Sequence, residues 1–187
     1  MREIVIVGHG HSMTGSGLGE KIDQYPTVRM KRSKGLMQTY PKDYGKRIDY
    51  VGATSAAIIG TIQMYPTAKE YLVYPKAKFG QTHFSDKQAL KLSRKDPRVK
   101  LFKELHDYWL EIYQDITPLD VRYSTGMGLL ITSLDYFKPE IIYLAGFDSI
   151  LNPETDWSSV LATREYDWEN DPPHDFRSEN HLLNHGS

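Results

Sequence analysis

Residues 3–31 read EIVIVGHGHSMTGSGLGEKIDQYPTVRMK. The run Ile4-Val5-Ile6-Val7 is apolar on both alternations, the pattern of a strand buried on both faces of a parallel sheet. It leads directly into five glycines within twelve residues: Gly8, Gly10, Gly15, Gly17 and Gly19. An apolar strand feeding into glycines is how α/β proteins bring backbone N–H groups up to a phosphate. Side chains there would block the approach, and glycine tolerates positive φ. A tight strand-to-helix turn without a ligand has the same composition, and glycine content alone does not separate the two. Neither common nucleotide motif is present. A P-loop needs Gly-Lys-Ser or Gly-Lys-Thr, and neither occurs. Gly8-His9-Gly10 opens like a dinucleotide fingerprint, but Met13 stands where its third glycine would fall.

Outward from this stretch, strands and helices alternate. The pattern predicts a first helix over 18–23, a second strand over 27–30, and then a loop containing Gly35, Pro41 and Gly45. A third strand over 48–52, a short helix over 56–64 and a fourth strand over 71–74 follow. Ser85 is a candidate N-cap for a helix through Leu92. In 101–116, Leu101, Leu105, Tyr108, Trp109, Ile112 and Ile116 recur at three and four residues, the pattern of a helix with one buried face. His106 lies beside that stripe and reads as structural, having no partner histidine at helical spacing. Ser124-Thr125-Gly126 precedes an apolar helix over 127–137, and 141–147 is a second buried strand. Continuous apolar strands alternating with helices predict a single α/β, Rossmann-like domain with a mostly parallel sheet flanked by helices. Beyond Asp148 the pattern fades. The expectation is one domain over 1–187, with 149–187 as loops over the carboxyl edge of the sheet, where open α/β folds bind ligands.

Composition narrows the classes. The chain of 187 residues has no cysteine, which excludes disulfides and thiolate metal sites. No apolar run approaches the ~20 residues of a membrane span, and Met1-Arg2 leads straight into a strand-like segment rather than a signal sequence. A soluble, cytoplasmic protein is the expectation. The net charge of -1 conceals an asymmetry, since nine acidic and two basic residues fall from Asp148 onward and the first 147 residues carry +6. A basic body suits an anionic ligand and equally describes a solvated surface. The thirteen tyrosines are scattered rather than interleaved with a basic stripe, which gives nucleic-acid binding little support.

Three stretches carry chemistry. The glycine-rich turn is the first. Ser124-Thr125-Gly126 at a helix N-terminus offers N–H groups and a positive dipole end to a phosphate or carboxylate, although capping explains it as well. His174, after Pro172-Pro173, is a candidate general base, because an imidazole titrates near neutrality. An ordinary surface histidine has the same signature. No metal site is evident: His181 and His185 have chelating spacing only near the chain end, and no Asp-x-Asp follows a strand.

Together, in this order, the three stretches resemble the eukaryotic-type sialyltransferase family of glycosyltransferases. That family's long motif runs from a strand into Val-Gly-Asn-Ser-Gly, a Gly-Ser-Gly-x-Gly turn, Ile-Asp and Val-x-Arg-x-Asn. Here the corresponding residues are Val7-Gly8-His9-Gly10-His11, Gly15-Ser16-Gly17-Leu18-Gly19, Ile22-Asp23 and Val28-Arg29-Met30-Lys31, continued by Asp43-Tyr44-Gly45, Arg47 and Asp49. The short motif is similar to Ser124-Thr125-Gly126 through Gly146-Phe147-Asp148, and the last to His174 through Glu179. His9 and Lys31 replace two family asparagines, the segment 22–29 is one residue shorter, and Arg164 stands for a motif histidine.

The resemblance implies a minimal soluble relative, microbial or viral in type, with a GT-A-like variant of the fold. It implies a metal-independent, inverting transfer of sialic acid, or of a Kdo-like acidic sugar, from a CMP-sugar to a glycan hydroxyl, with no cofactor. His174 would be the base and Glu179 its structural support. Gly8, His9, Gly10, Ser12, Lys31, Ser124, Thr125, Gly126, Gly146, Phe147, Asp148 and Arg164 would hold the donor. The altered residues leave two other readings open. One is transfer from another nucleotide sugar to a nucleic-acid base or lipid, and the other is a non-catalytic nucleotide- or glycan-binding relative.

Overall fold

A computed structural model describes residues 1–75, 84–117, 123–151 and 176–185. Its centre is a six-stranded sheet of β1 (Glu3–Val7), β2 (Thr27–Met30), β3 (Tyr50–Thr54), β4 (Glu70–Tyr74), β5 (Val99–Leu101) and β6 (Ile141–Ala145). The spatial order is β5-β4-β3-β2-β1-β6, and every neighbouring pair is parallel. The fold is Rossmann-like and GT-A-like. The helices are α1 (Gly19–Ile22), α2 (Ser33–Thr39), α3 (Pro41–Tyr44), α4 (Ile58–Met64), α5 (Phe84–Ser93), α6 (Lys103–Ile116), α7 (Thr125–Phe137), α8 (Asp148–Leu151) and α9 (Phe176–His185).

The alternation of side chains along each strand divides the core into two layers. Ile4 and Ile6 of β1, with Val28, Met30, Leu72 and Tyr74, pack against α6, α7 and Leu182 of α9. Val5 and Val7, with Val51, Tyr71 and Val73, pack against Ile22, Met37, Tyr44, Ile58 and Ala89, which come from α1 to α5. The unbroken apolar run of β1 is thus explained by burial on both sides.

The chain moves outward from β1 through β2, β3 and β4 to β5, then returns to place β6 on the opposite side of β1. The switch point lies between β1 and β6, where Val7 pairs with Ala145. A crevice opens at such a point, outside the carboxyl ends of the two strands. Both glycine-bearing turns, after Val7 and after Ala145, begin there.

Several elements differ from the sequence pattern. The expected loop around Gly35, Pro41 and Gly45 contains α2 and α3. Pro41 occupies the first turn of α3, and Gly45, at φ +69°, ends it. Those are start and stop signals rather than loop signals. The third strand runs two residues later than expected. The helix expected over 101–116 begins at Lys103, because Leu101 ends the three-residue edge strand β5. β6 is an edge strand rather than a buried one, with Ile141 42% and Tyr143 39% exposed. Part of the C-terminal region is helical: α9 buries Ser178, Glu179 and Leu182. Its buried face carries two polar residues, so hydropathy alone does not mark it as helical. The rest of the expected loop region, over 152–175 and 186–187, lies outside the described residues. Among the described residues, no helix is long and apolar enough to cross a membrane.

Candidate functional site

Close packing of two turns shapes the switch point. Gly8 N–H donates to Ala145 O at 2.8 Å, and Gly10 N–H donates to Gly146 O at 2.9 Å. A Cβ on Gly8 would lie 2.2 Å from the Gly146 carbonyl oxygen, a backbone atom that cannot step aside. Gly146 itself has φ +69°, the left-handed region that favours glycine. Asp148 leans back over the first turn. Its carboxylate accepts the Ser12 N–H at 3.0 Å and the Ser12 hydroxyl, and a Cβ on Gly10 would meet it at 2.4 Å. Phe147 points into the core, and His9 is half-buried. The N–H groups of Gly8, Gly10 and Ser12 are therefore bonded within the protein. The turn offers a ligand the Asp148 carboxylate and the exposed face of Ser12 rather than a bare cradle of N–H groups.

The second half of the glycine-rich stretch is occupied in a different way. Gly15 and Gly17 have φ of +83° and +68°, and their N–H groups converge on one carboxylate. Asp43 accepts Gly15 N–H at 2.8 Å and Gly17 N–H at 2.9 Å. Those two bonds hold its carboxyl below the ordinary carboxylate range. The next residue, Tyr44, is fully buried and donates its hydroxyl to Gly10 O at 2.5 Å.

Behind α3 sits Arg29, a fully buried guanidinium on β2. It donates to Arg47 O at 2.6 Å and Tyr44 O at 2.8 Å, and faces Asp23 at 3.6 Å. Burial lowers its pKa to about 10, which leaves it charged at neutral pH. Asp43, Tyr44 and Arg29 carry no role in the sequence reading beyond their place in a motif. A proline–glycine bracket around an acidic residue is the signal that points to α3.

At the same edge of the sheet, Ser124 caps α7. Its hydroxyl oxygen accepts Met127 N–H at 3.2 Å. Glu179, wholly buried on α9, accepts the Ser124 hydroxyl at 2.7 Å and the Ser124 N–H as well. A carboxylate at a helix N-terminus is favoured by the macrodipole. Thr125 is half-buried, Gly126 is buried, and Thr125 O accepts the Tyr74 hydroxyl at 2.9 Å. Ser124 and Thr125 line a small cavity with Thr54, Tyr74, Pro75, Leu110 and Tyr123.

Beneath it lies a chain of buried hydrogen bonds. Thr132 donates to Gly128 O at 2.9 Å, so its oxygen accepts from His106 Nε2–H at 2.7 Å. His106 Nδ1 then accepts the Tyr123 hydroxyl. Burial lowers the His106 pKa to about 3, so the ring is neutral.

Of the other candidates, Lys31 is half-buried just past β2, with its ammonium 3.5 Å from the position of a Cβ on Gly60 of α4. His174 and Arg164 lie outside the described residues. The structure thus brings Gly8, Gly10, Ser12, Gly146 and Asp148 together at the switch point. Ser124 and Glu179 form a second cluster beside the ends of β3 and β4. Among the described residues, no group of three or more His, Asp or Glu side chains is placed to hold a metal ion.

No family model matches the sequence, and no curated protein matches it. Solved structures do share the fold. The chain is similar to the sialyltransferase CstII from Campylobacter jejuni in complex with the substrate analogue CMP-3FNeuAc, with a TM-score of 0.60 and 14% identity over 98% of this chain and 78% of that one. It is also similar to CstII with cytidine-5′-monophosphate, at a TM-score of 0.51 and 15% identity over 87% of this chain and 77% of that one. At such identity the likeness establishes a common fold.

Proposed function

We propose that this chain is a glycosyltransferase of the sialyltransferase type. It moves an acidic sugar, sialic acid first and a Kdo-like sugar second, from a CMP-activated donor to a glycan hydroxyl, with inversion and without a metal ion. The observation that carries the reading is the join of β1 to β6. Two glycine turns interlock there at a topological switch point, under the Asp148 carboxylate. The fold shared with a sialyltransferase supports the same reading.

The donor lies along the carboxyl edge of the sheet. Its nucleoside occupies the switch point, where ribose hydroxyls donate to Asp148 without requiring the backbone N–H groups already used. Its phosphate extends toward α7, whose N-terminus lies beside Thr54 of β3. From β1 to β3 is two inter-strand spacings, about 10 Å, a span suited to a nucleotide sugar. The acceptor oxygen attacks the anomeric carbon as the bond from that carbon to the phosphate oxygen breaks, and CMP leaves with the electron pair. His174 takes the proton of the acceptor hydroxyl. The helix that follows His174 in the chain is pinned to Ser124 by Glu179. CMP is a weakly basic leaving group, so the cations Lys31 and Arg164, with Thr125 at the start of α7, stabilise its phosphate in place of a general acid, the Ser124 N–H being held by Glu179.

Incubation with CMP-sialic acid and an oligosaccharide acceptor tests this reading. Transfer is expected, unchanged by EDTA, and reduced about 100-fold or more in His174→Ala. Unaltered transfer in that variant removes His174 from the mechanism. Failure of CMP-sugars to serve as donors overturns the reading.

A further inference from the structure

We propose that Asp43 and Tyr44 are positioning residues that clamp the donor turn from behind, so that α3 sets the geometry in which the nucleotide is received. This inference rests on the donor assignment above for its functional meaning and on geometry for its physical content. Each residue holds a different part of one continuous segment. The Asp43 carboxylate fixes the N–H groups of Gly15 and Gly17 at 2.8 and 2.9 Å, and the Tyr44 hydroxyl fixes the carbonyl of Gly10 at 2.5 Å. Ser12 lies between those anchors in the chain, and its N–H and hydroxyl donate to Asp148 across the crevice. The turn is thus held from both sides, by α3 behind and by the β6 end in front.

α3 is itself fixed. Arg29, buried in β2, donates to Tyr44 O and Arg47 O. Asp23, at the end of α1, accepts the N–H groups of Lys46 and Arg47 at 2.8 to 2.9 Å. Gly19 lets α1 approach α3 closely, since a Cβ there would lie 2.5 Å from Pro41 O. A carboxylate seated on two backbone N–H groups also removes the Gly15–Gly17 segment as a phosphate site, because that anion position is filled from within the chain. The N–H bonds favour the ionised form of Asp43 and lower its pKa.

Two measurements on Asp43→Asn and Tyr44→Phe test the clamp. The first is amide hydrogen exchange by NMR in the nucleotide-free protein. Exchange at Gly15 and Gly17 is expected to accelerate about tenfold or more in Asp43→Asn. Ser12 is expected to accelerate in both variants, while β1 and β2 amides keep their protection. A change confined to Gly15 and Gly17, with Ser12 unaffected, makes the contact local and overturns the proposal.

The second is the CMP dissociation constant by calorimetry, measured well below the thermal midpoint. It is expected to rise about tenfold in both variants with little change in thermal midpoint. A lowered midpoint with unchanged CMP affinity shows a merely structural role and overturns the proposal. If the wild type binds no CMP, the donor assignment fails, and exchange at Ser12 alone decides the clamp.

Discussion

His106 shows how one buried residue couples this fold to pH. Its ring is satisfied on both nitrogens by Tyr123 and Thr132, stacks on Tyr74 with centroids 5.1 Å apart, and is kept neutral by burial. In the unfolded chain it titrates at about 6.5. In the folded chain it titrates near 3. Between those values the unfolded state binds a proton that the folded state refuses, so stability is full above the unfolded pKa and falls as pH drops toward the folded one. The contribution approaches about 1.4 kcal/mol per pH unit through the middle of that window. Urea unfolding from pH 7 to pH 4 is expected to show a steeper loss in the wild type than in His106→Gln, which lacks the titrating group. Parallel slopes contradict a neutral buried His106. In the sequence, this residue appeared as a structural histidine beside an apolar stripe, but its bonding network depends on α7 and Tyr123, which only the tertiary fold brings near.

Elements differ in how openly the sequence declared them. β1 and β4 were legible because their apolar runs are the direct consequence of burial on both faces. The start of α7 was legible from Ser124, whose capping bond the structure contains. α2 and α3 were not, because Pro41 and Gly45 carry both loop and cap meanings and Gly35 lies inside α2, and only the packing of Met37 and Tyr44 resolves them. α9 was hidden for a different reason. The face it buries includes Ser178 and Glu179, which are polar in the sequence and become buried through bonds to Ile116 O and to Ser124.

Glu179 is the tie between α9 and α7, which gives an expectation at this scale. Its removal in Glu179→Ala leaves the Ser124 N–H without its carboxylate acceptor and opens a cavity, with a cost of about 3 kcal/mol. Glu179→Gln retains an acceptor and is expected to cost about half as much. Chemical denaturation measures both, and a change below about 0.5 kcal/mol in the alanine variant contradicts the tie.

For the whole molecule, the decisive feature is the strand order, which places the carboxyl ends of β1 and β6 side by side. The sequence declared the class of fold, and the fading of the pattern beyond Asp148 pointed to the carboxyl edge of the sheet. It did not declare that β6 lies at the margin of the sheet, since Ile141 and Tyr143 are as apolar as residues buried on both faces. Nor did it show that the glycine turn spends its N–H groups internally, because Ala145, Gly146 and Asp148 are more than a hundred residues away in the chain. Those partners turn an expected phosphate cradle into a tightly closed turn beneath a carboxylate.

The proposed function requires that this turn receive a cytidine nucleotide, and titration of the labelled protein with CMP, followed by amide NMR, reads that binding site by site. Shifts are expected to concentrate at Gly8–Ser12, Gly146 and Asp148, with weaker responses to UDP and GDP at equal concentration. Saturable shifts elsewhere on the sheet, with those amides unmoved, would place the nucleotide elsewhere and overturn the assignment.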